Sequence, residues 1–216
     1  DSFIMAHIKA FTFGPFQENT YIVFDSTLEC AIFDPGCFGD KEKNELSAYI
    51  DDNNLKPVKL INTHGHIDHV AANKYVADKY KLGVEINEKD LFLLQNVEKT
   101  ARMYGLYVEP SPDPTTFLNE GDVIKFGNTT LDILFTPGHS PGSLCFVDKA
   151  DKNIIGGDVL FMGSIGRSDL PGGDFDTLIK SIREKLFTLP DDYTVYSGHG
   201  PKTSIGFEKK SNPFLQ

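Results

Sequence analysis

With 216 residues, 40% of them hydrophobic, and no evident linker, the chain is expected to form one domain over residues 1–216 with a substantial core. Its formal net charge of −10 gives no broad attraction to phosphate backbones, so a nucleic-acid partner is not expected. No apolar run approaches the ~18 residues of a membrane span, which leaves a soluble, cytoplasmic protein without a membrane partner as the expectation.

Asp1, Ser2, Phe3 and Ile4 precede Met5. They lack the basic flank and long apolar region of a signal peptide and read as a processing or expression remnant. The first 36 residues read as a strand meander, with Phe3 to Phe13, Thr20 to Phe24 and Cys30 to Asp34 rich in Phe, Ile, Val and Tyr. A helix is expected from about Asp40 to Asp51, then a strand through Val58, Leu60 and Ile61. Val70 opens a helix that Tyr75 to Tyr80 continues, and Val84 to Ile86 is a short strand. Between Glu88 and Tyr104, Leu91, Leu94 and Val97 recur at helical spacing. Pro110 to Pro114 is too proline-rich for regular structure. Strands resume at Val123 to Phe126, Thr130 to Phe135, Leu144 to Val147 and Asn153 to Ile155. A helix from Phe175 to Phe187 and a strand at Tyr193 to Tyr196 follow, leaving Lys202 to Gln216 as a short tail. Two stacked sheets with helices outside suit this order better than one parallel sheet. Cys30, Cys37 and Cys145 are odd in number and lack metal-finger spacing. Disulfides are not expected, and Cys145, between Leu144 and Phe146, reads as a small buried hydrophobe.

The most informative stretch is Thr63-His64-Gly65-His66-Ile67-Asp68-His69, which holds three of the chain's six histidines and a carboxylate. Such crowding marks either mutually repelling surface groups or ligands to a divalent metal, and its place after an apolar strand favours ligands. Three further strand-like runs end in glycine-rich loops carrying His139, Asp158 and His199. Taken singly, a Gly-His-Gly is more often a turn and a Gly-Asp more often a cap. Together the loops supply five histidines and two aspartates, enough for two metals. His7 stands apart and reads as an ordinary strand histidine.

The heptad, Pro137-Gly138-His139, Gly157-Asp158 and Gly198-His199-Gly200 resemble the motifs of metallo-β-lactamase-fold hydrolases. Gly156 to Phe161 and Gly166-Arg167-Ser168-Asp169 are similar to the glyoxalase II (hydroxyacylglutathione hydrolase) branch, in its short bacterial form without a C-terminal helical domain. The resemblance implies an α/β (α+β) fold, a four-layer αββα sandwich with its site at one sheet edge. It implies that His64, His66 and His139 hold one metal, that Asp68, His69 and His199 hold the other, and that Asp158 bridges them. Zinc is the expected ion, with iron and manganese also suited to His/Asp sites. True β-lactamases of this superfamily generally carry Cys or Ser at the Asp158 position, which disfavours a β-lactam substrate. Full-length glyoxalase II enzymes bind glutathione largely through the additional domain, so the thiol carrier stays open.

Two divalent cations that share a water lower its pKa towards ~7 and make hydroxide at neutral pH. Asp68 would ligate and also orient that hydroxide. A thioester suits such a site, because its thiol leaves with a reference pKa of about 8.5 and needs little acid assistance. A small-molecule thioester such as S-lactoylglutathione is therefore the expected substrate. The alternative is a persulfide dioxygenase, with a single non-heme iron held by His64, His139 and Asp158. A non-catalytic metal scaffold predicts a lost ligand, and all seven positions carry competent ones. Arg167 has two open readings: a fork for a substrate carboxylate, or a loop contact to Asp169. Arg102 to Phe117, with Met103, Tyr104 and Tyr107, reads either as a wall or lid of the site or as ordinary packing. Oligomeric state is not legible.

Overall fold

The computed structural model describes residues 5–216; the proposed remnant Asp1 to Ile4 lies outside them. Strands β1 (His7–Phe13), β2 (Glu18–Phe24) and β3 (Glu29–Phe33) form the antiparallel meander. Helix α1 (Gly39–Asp52) then crosses to β4 (Lys56–Ile61), and α2 (Ile67–Val70) with α3 (Asn73–Tyr80) crosses to β5 (Val84–Ile86). After α4 (Leu91–Gln95) and α5 (Val97–Met103) comes β6 (Pro114–Phe117), completing a six-stranded sheet in the order β1-β2-β3-β4-β5-β6. From β3 to β6 the pairing is parallel.

The second half begins with β7 (Val123–Phe126), β8 (Thr129–Phe135), β9 (Leu144–Asp148) and β10 (Asn153–Gly157). A small hairpin of β11 (Leu160–Phe161) and β12 (Ser164–Ile165) precedes α6 (Phe175–Ser181), and β13 (Thr194–Ser197), β14 (Thr203–Ser204) and α7 (Ile205–Ser211) end the chain. This sheet runs β14-β13-β10-β9-β8-β7, with β10 and β13 parallel.

Period-two alternation separates three cores and so creates four layers. Ile22, Ile32 and Leu60 face outward to Leu46 and Ile50 of α1 and Val76 of α3. Their neighbours Val23, Phe33 and Ile61 face inward, where they meet Leu144, Phe146 and Ile155 of the second sheet. Cys145, Val147 and Val195 point out again, under Leu178 of α6 and Ile205 of α7. The expected αββα sandwich is the fold observed. All three cysteines are buried and free. No helix among the described residues is long and apolar enough to cross a membrane.

Three local expectations are corrected. The periodic stretch from Glu88 to Tyr104 is a short 3-10 turn followed by two helices, not one helix. At Asn96 the side-chain amide donates to the Phe92 carbonyl at 2.6 Å, and the Asn96 N–H turns to Leu93 instead. Pro114 opens β6 rather than lying in irregular chain; β6 is an edge strand, where a missing N–H costs no ladder bond. The tail after Lys202 is structured. Ser204 caps α7 by accepting from the Phe207 N–H at 3.1 Å, and the buried Glu208 accepts from Thr203, Asn212 and the Gly163 N–H.

Candidate metal centre

Each chemistry-bearing loop leaves the carboxyl end of a strand on the same edge of the sandwich. β4 delivers the heptad, β8 leads to His139, β10 to Asp158 and β13 to His199. The nitrogens of His64, His66 and His139 form one group of convergent donor atoms, all within 4.8 Å of one another, and Asp68, His69, Asp158 and His199 form a second. Asp158 lies between the groups. Its Oδ2 is 3.7 Å from His64 Nε2 and 3.4 Å from His139 Nε2 on one side, and 3.2 Å from His69 Nε2 and 3.3 Å from His199 Nε2 on the other. Asp68 Oδ2 is 3.0 Å from His199 Nε2 and 3.5 Å from His69 Nε2. All seven predicted ligands are thus brought to one place.

The outer nitrogens explain why the inner ones are free to bind. His64 Nδ1 donates to Thr63 Oγ1 at 2.9 Å, His69 Nδ1 to Asp34 Oδ2 at 2.9 Å, His139 Nδ1 to the Arg167 carbonyl at 2.6 Å and His199 Nδ1 to the Phe16 carbonyl at 3.1 Å. In the neutral ring each bond leaves the Nε2 lone pair facing inward. His66 presents Nδ1 instead, 2.9 Å from His139 Nε2. His64 Nε2 and Asp158 Oδ1 are buried with no hydrogen-bond partner. A buried imidazole nitrogen left without a protein partner while its ring is fixed from behind, beside an unpaired buried carboxylate oxygen, fits a divalent cation better than a packed core.

Electrostatics separates the two groups. Burial pushes His64 well below the usual imidazole range and His66 down to about 3, so both rings are neutral, as a metal would require. Burial would also lower His69, but the Asp158, Asp68 and Asp34 carboxylates outweigh it and hold that ring protonated. His199 is raised to about 10, its partial burial outweighed by hydrogen bonds to Asp158 and Asp68. Burial alone would raise Asp158, yet His69, His139 and His199 draw it well below the ordinary carboxylate range. Without metal the second group is therefore a proton-bridged ion cluster, and a cation binding there takes the place of those protons.

Sequence reasoning missed the residues that hold these loops. Asp34, at the end of β3, accepts from the Thr63 N–H at 2.7 Å and Thr63 Oγ1 at 2.6 Å besides His69, so one buried carboxylate orients both the heptad and a candidate ligand. Asp34-Pro35-Gly36 has the same strand-then-Gly form as the recognised loops, and that signal was available. Asp90 accepts from the Gly65 N–H, Ser140 Oγ and the Gly142 N–H at 2.9, 2.7 and 2.6 Å, tying the heptad to the His139 loop. In sequence it is one more acid at a helix start, with nothing to mark it.

Above the donor cluster opens a cavity of about 380 Å³, floored by His66, Asp68, Asp158, His139 and His199. Met103 and Tyr104 line it, which favours the wall reading for the start of the Arg102–Phe117 segment, whereas Tyr107 is exposed and is not among the lining residues. Phe16 meets Tyr104 edge to face at 5.5 Å across this wall. Arg167 also lines the cavity, with its guanidinium paired to Asp169 through bonds of 2.7 and 2.8 Å.

Residues 13–199 match the sequence profile of the metallo-beta-lactamase superfamily. The hydroxyacylglutathione hydrolase GloC of Haemophilus influenzae is 44% identical over 93% of each chain. Among solved structures, TTHA1623 in a di-iron-bound form is 37% identical with a TM-score of 0.87, covering 96% of this chain and 100% of its own. The BLEG-1 B3 metallo-beta-lactamase is 36% identical with a TM-score of 0.89, covering 97% and 100%. This chain belongs to the metallo-beta-lactamase superfamily, and with its His and Asp donors gathered at one sheet edge it is a metal-dependent hydrolase of that family. Within it the chain is glyoxalase II-like.

Proposed function

We propose that this chain, acting as one domain over residues 1–216, is a binuclear thioesterase that hydrolyses S-2-hydroxyacyl thioesters. The observation that carries the reading is Asp158 Oδ2, which stands 3.2 to 3.7 Å from imidazole nitrogens of both donor groups. His64, His66 and His139 would hold one ion, and Asp68, His69 and His199 the other, with Asp158 shared. Zinc is the proposed ion; iron and manganese suit the same donors. Two such cations supply a nucleophilic hydroxide at neutral pH and polarise the thioester carbonyl.

The chain's own residues do the rest. Asp68, at the cavity floor, is drawn below the usual carboxylate range: burial would raise it, but His69 and His199 outweigh that. It is ionised throughout the neutral range and accepts a hydrogen bond from the attacking water. A thiol of pKa about 8.5 leaves without a proton donor. An amine leaving group would require one, which sets the thioester ahead of a β-lactam. The persulfide dioxygenase alternative uses His64, His139 and Asp158 alone. It gives no role to His66, whose Nδ1 lies 2.9 Å from His139 Nε2, or to the convergence of Asp68, His69 and His199.

The test is anaerobic hydrolysis of S-D-lactoylglutathione by zinc-loaded protein against a chelated control. Chelator-sensitive turnover without oxygen is expected. Oxygen consumption with a persulfide, and no thioester turnover by metal-loaded protein, would sink the reading.

A further inference from the structure

The two donor groups are braced by different parts of the chain. The second group rests on the turn before β2 and on the first residues of that strand. The Phe16 carbonyl accepts from His199 Nδ1 at 3.1 Å, and Asn19 holds the same loop from inside. Asn19 Nδ2 donates to the Ser197 carbonyl at 3.0 Å and the Gly200 carbonyl at 2.8 Å, one on each side of Gly198-His199. Its N–H donates to the Gly198 carbonyl at 2.7 Å. The amide has one usable orientation, because Oδ1 accepts from Thr12 Oγ1 at 2.9 Å and, turned over, would face two carbonyls. One residue earlier, the fully buried Glu18 stands behind the other ligands. Its Oε1 lies 3.8 Å from His69 Nδ1, and a Cβ on Gly36 would collide with both Glu18 Oε2 and the Asp68 carbonyl.

The first group leans on Asp90 instead. Asp90 Oδ2 accepts from the Gly65 N–H, between His64 and His66, and from Ser140 Oγ, next to His139; Oδ1 accepts from the Gly142 N–H. Among the described residues, Asn19 makes no hydrogen bond to the loops of His64, His66 or His139, and Asp90 makes none to the loop of His199. Asp34, bonded to both Thr63 and His69, is common to the two.

We propose that Asn19 is a positioning residue for the second ion and Asp90 for the first, so that either site can be weakened without the other. The inference rests on the binuclear reading. A loop stapled on both sides of His199 presents its imidazole already aimed, so less ordering opposes the arrival of an ion, and only at that site.

Cobalt titration of the metal-free chain, followed by visible absorption, reads the two sites separately, with His139→Ala and His199→Ala identifying the band of each. Two bands are expected to fill in the wild type. Asn19→Ala is expected to weaken cobalt binding at the second group about 10- to 100-fold, the usual effect of losing a group that orients a ligand, and to spare the first; Asp90→Asn is expected to do the reverse. A residue needed only for the fold would weaken both bands together. Equal loss of both bands, or loss of neither, in either variant overturns the inference, while two bands in the wild type keep the binuclear site. A single cobalt band in the wild type takes down the binuclear reading and the inference with it. If Asn19→Ala does not fold, Asn19→Ser, which keeps one donor, carries the same outcomes.

Discussion

Asp158→Ala is expected to lower thioester turnover by more than about 100-fold and to strip metal from the purified protein, while far-UV circular dichroism stays close to wild type. Loss of an outer carboxylate behind a ligand already costs about 10- to 100-fold in affinity or activity, and Asp158 is proposed as a direct ligand to both ions. Its Oδ2 faces His64 and His139 in one group and His69 and His199 in the other, so both sites lose a donor at once. The backbone has little reason to move. Gly157, at the end of β10, is anchored by the Gly198 N–H donating to its carbonyl at 2.8 Å, and neither group involves the Asp158 side chain. Removing the carboxylate also removes one cause of the raised His69 pKa, so that ring sheds its proton more readily rather than standing as an unpaired buried charge. Asp158→Asn, which keeps the volume and one oxygen, separates loss of charge from loss of packing. Elemental analysis and initial rates read the result. A fully active alanine variant with normal metal content would refute the shared-ligand assignment.

Gly198→Ala is expected to have a comparable effect without removing any ligand. A Cβ there would lie 2.2 Å from Asp158 Oδ1 and 2.7 Å from His69 Cε1, so Asp158, His69 or the loop must shift. The loop is held on both sides: the Gly198 N–H donates to the Gly157 carbonyl at 2.8 Å, and the Asn19 N–H donates to the Gly198 carbonyl at 2.7 Å. Displacement therefore falls on the two ligands, and a shift of about 1 Å in a catalytic group costs about 100-fold. Turnover and metal content should fall together, with the fold retained. Normal rates in Gly198→Ala would mean that the loop gives way and that this close approach is not needed.

The two variants also show which parts of the site are legible in sequence. Donor residues are readable because His and Asp after apolar strands, flanked by glycine, form a local pattern, and all seven fall in one place. The reason for glycine at 198 is not local: it depends on Asp158 and His69, which arrive from other strands. Asp34 and Asp90 act the same way. Each binds loops far from it in sequence, and nothing in its own neighbourhood reports that. At the level of the fold, the order of strands and helices reveals the layers, and β2, β3 and β9 read as continuous apolar runs because each is buried on both faces. Helix α7 escapes because beside Ile205 its buried face is Glu208, a charged-type residue whose partners Thr203 and Asn212 and the Gly163 N–H satisfy it in the interior. The break at Asn96 escapes because a side-chain amide, not a change of hydrophobic period, ends the helix.

The most direct test of the central claim is the metal content of the wild-type chain, saturated with zinc, freed of excess ion and measured by elemental analysis against protein concentration. The two donor groups that meet at Asp158 predict about two ions per chain, as a two-metal hydrolase requires. A ratio of one or less in fully active protein would contradict the binuclear site.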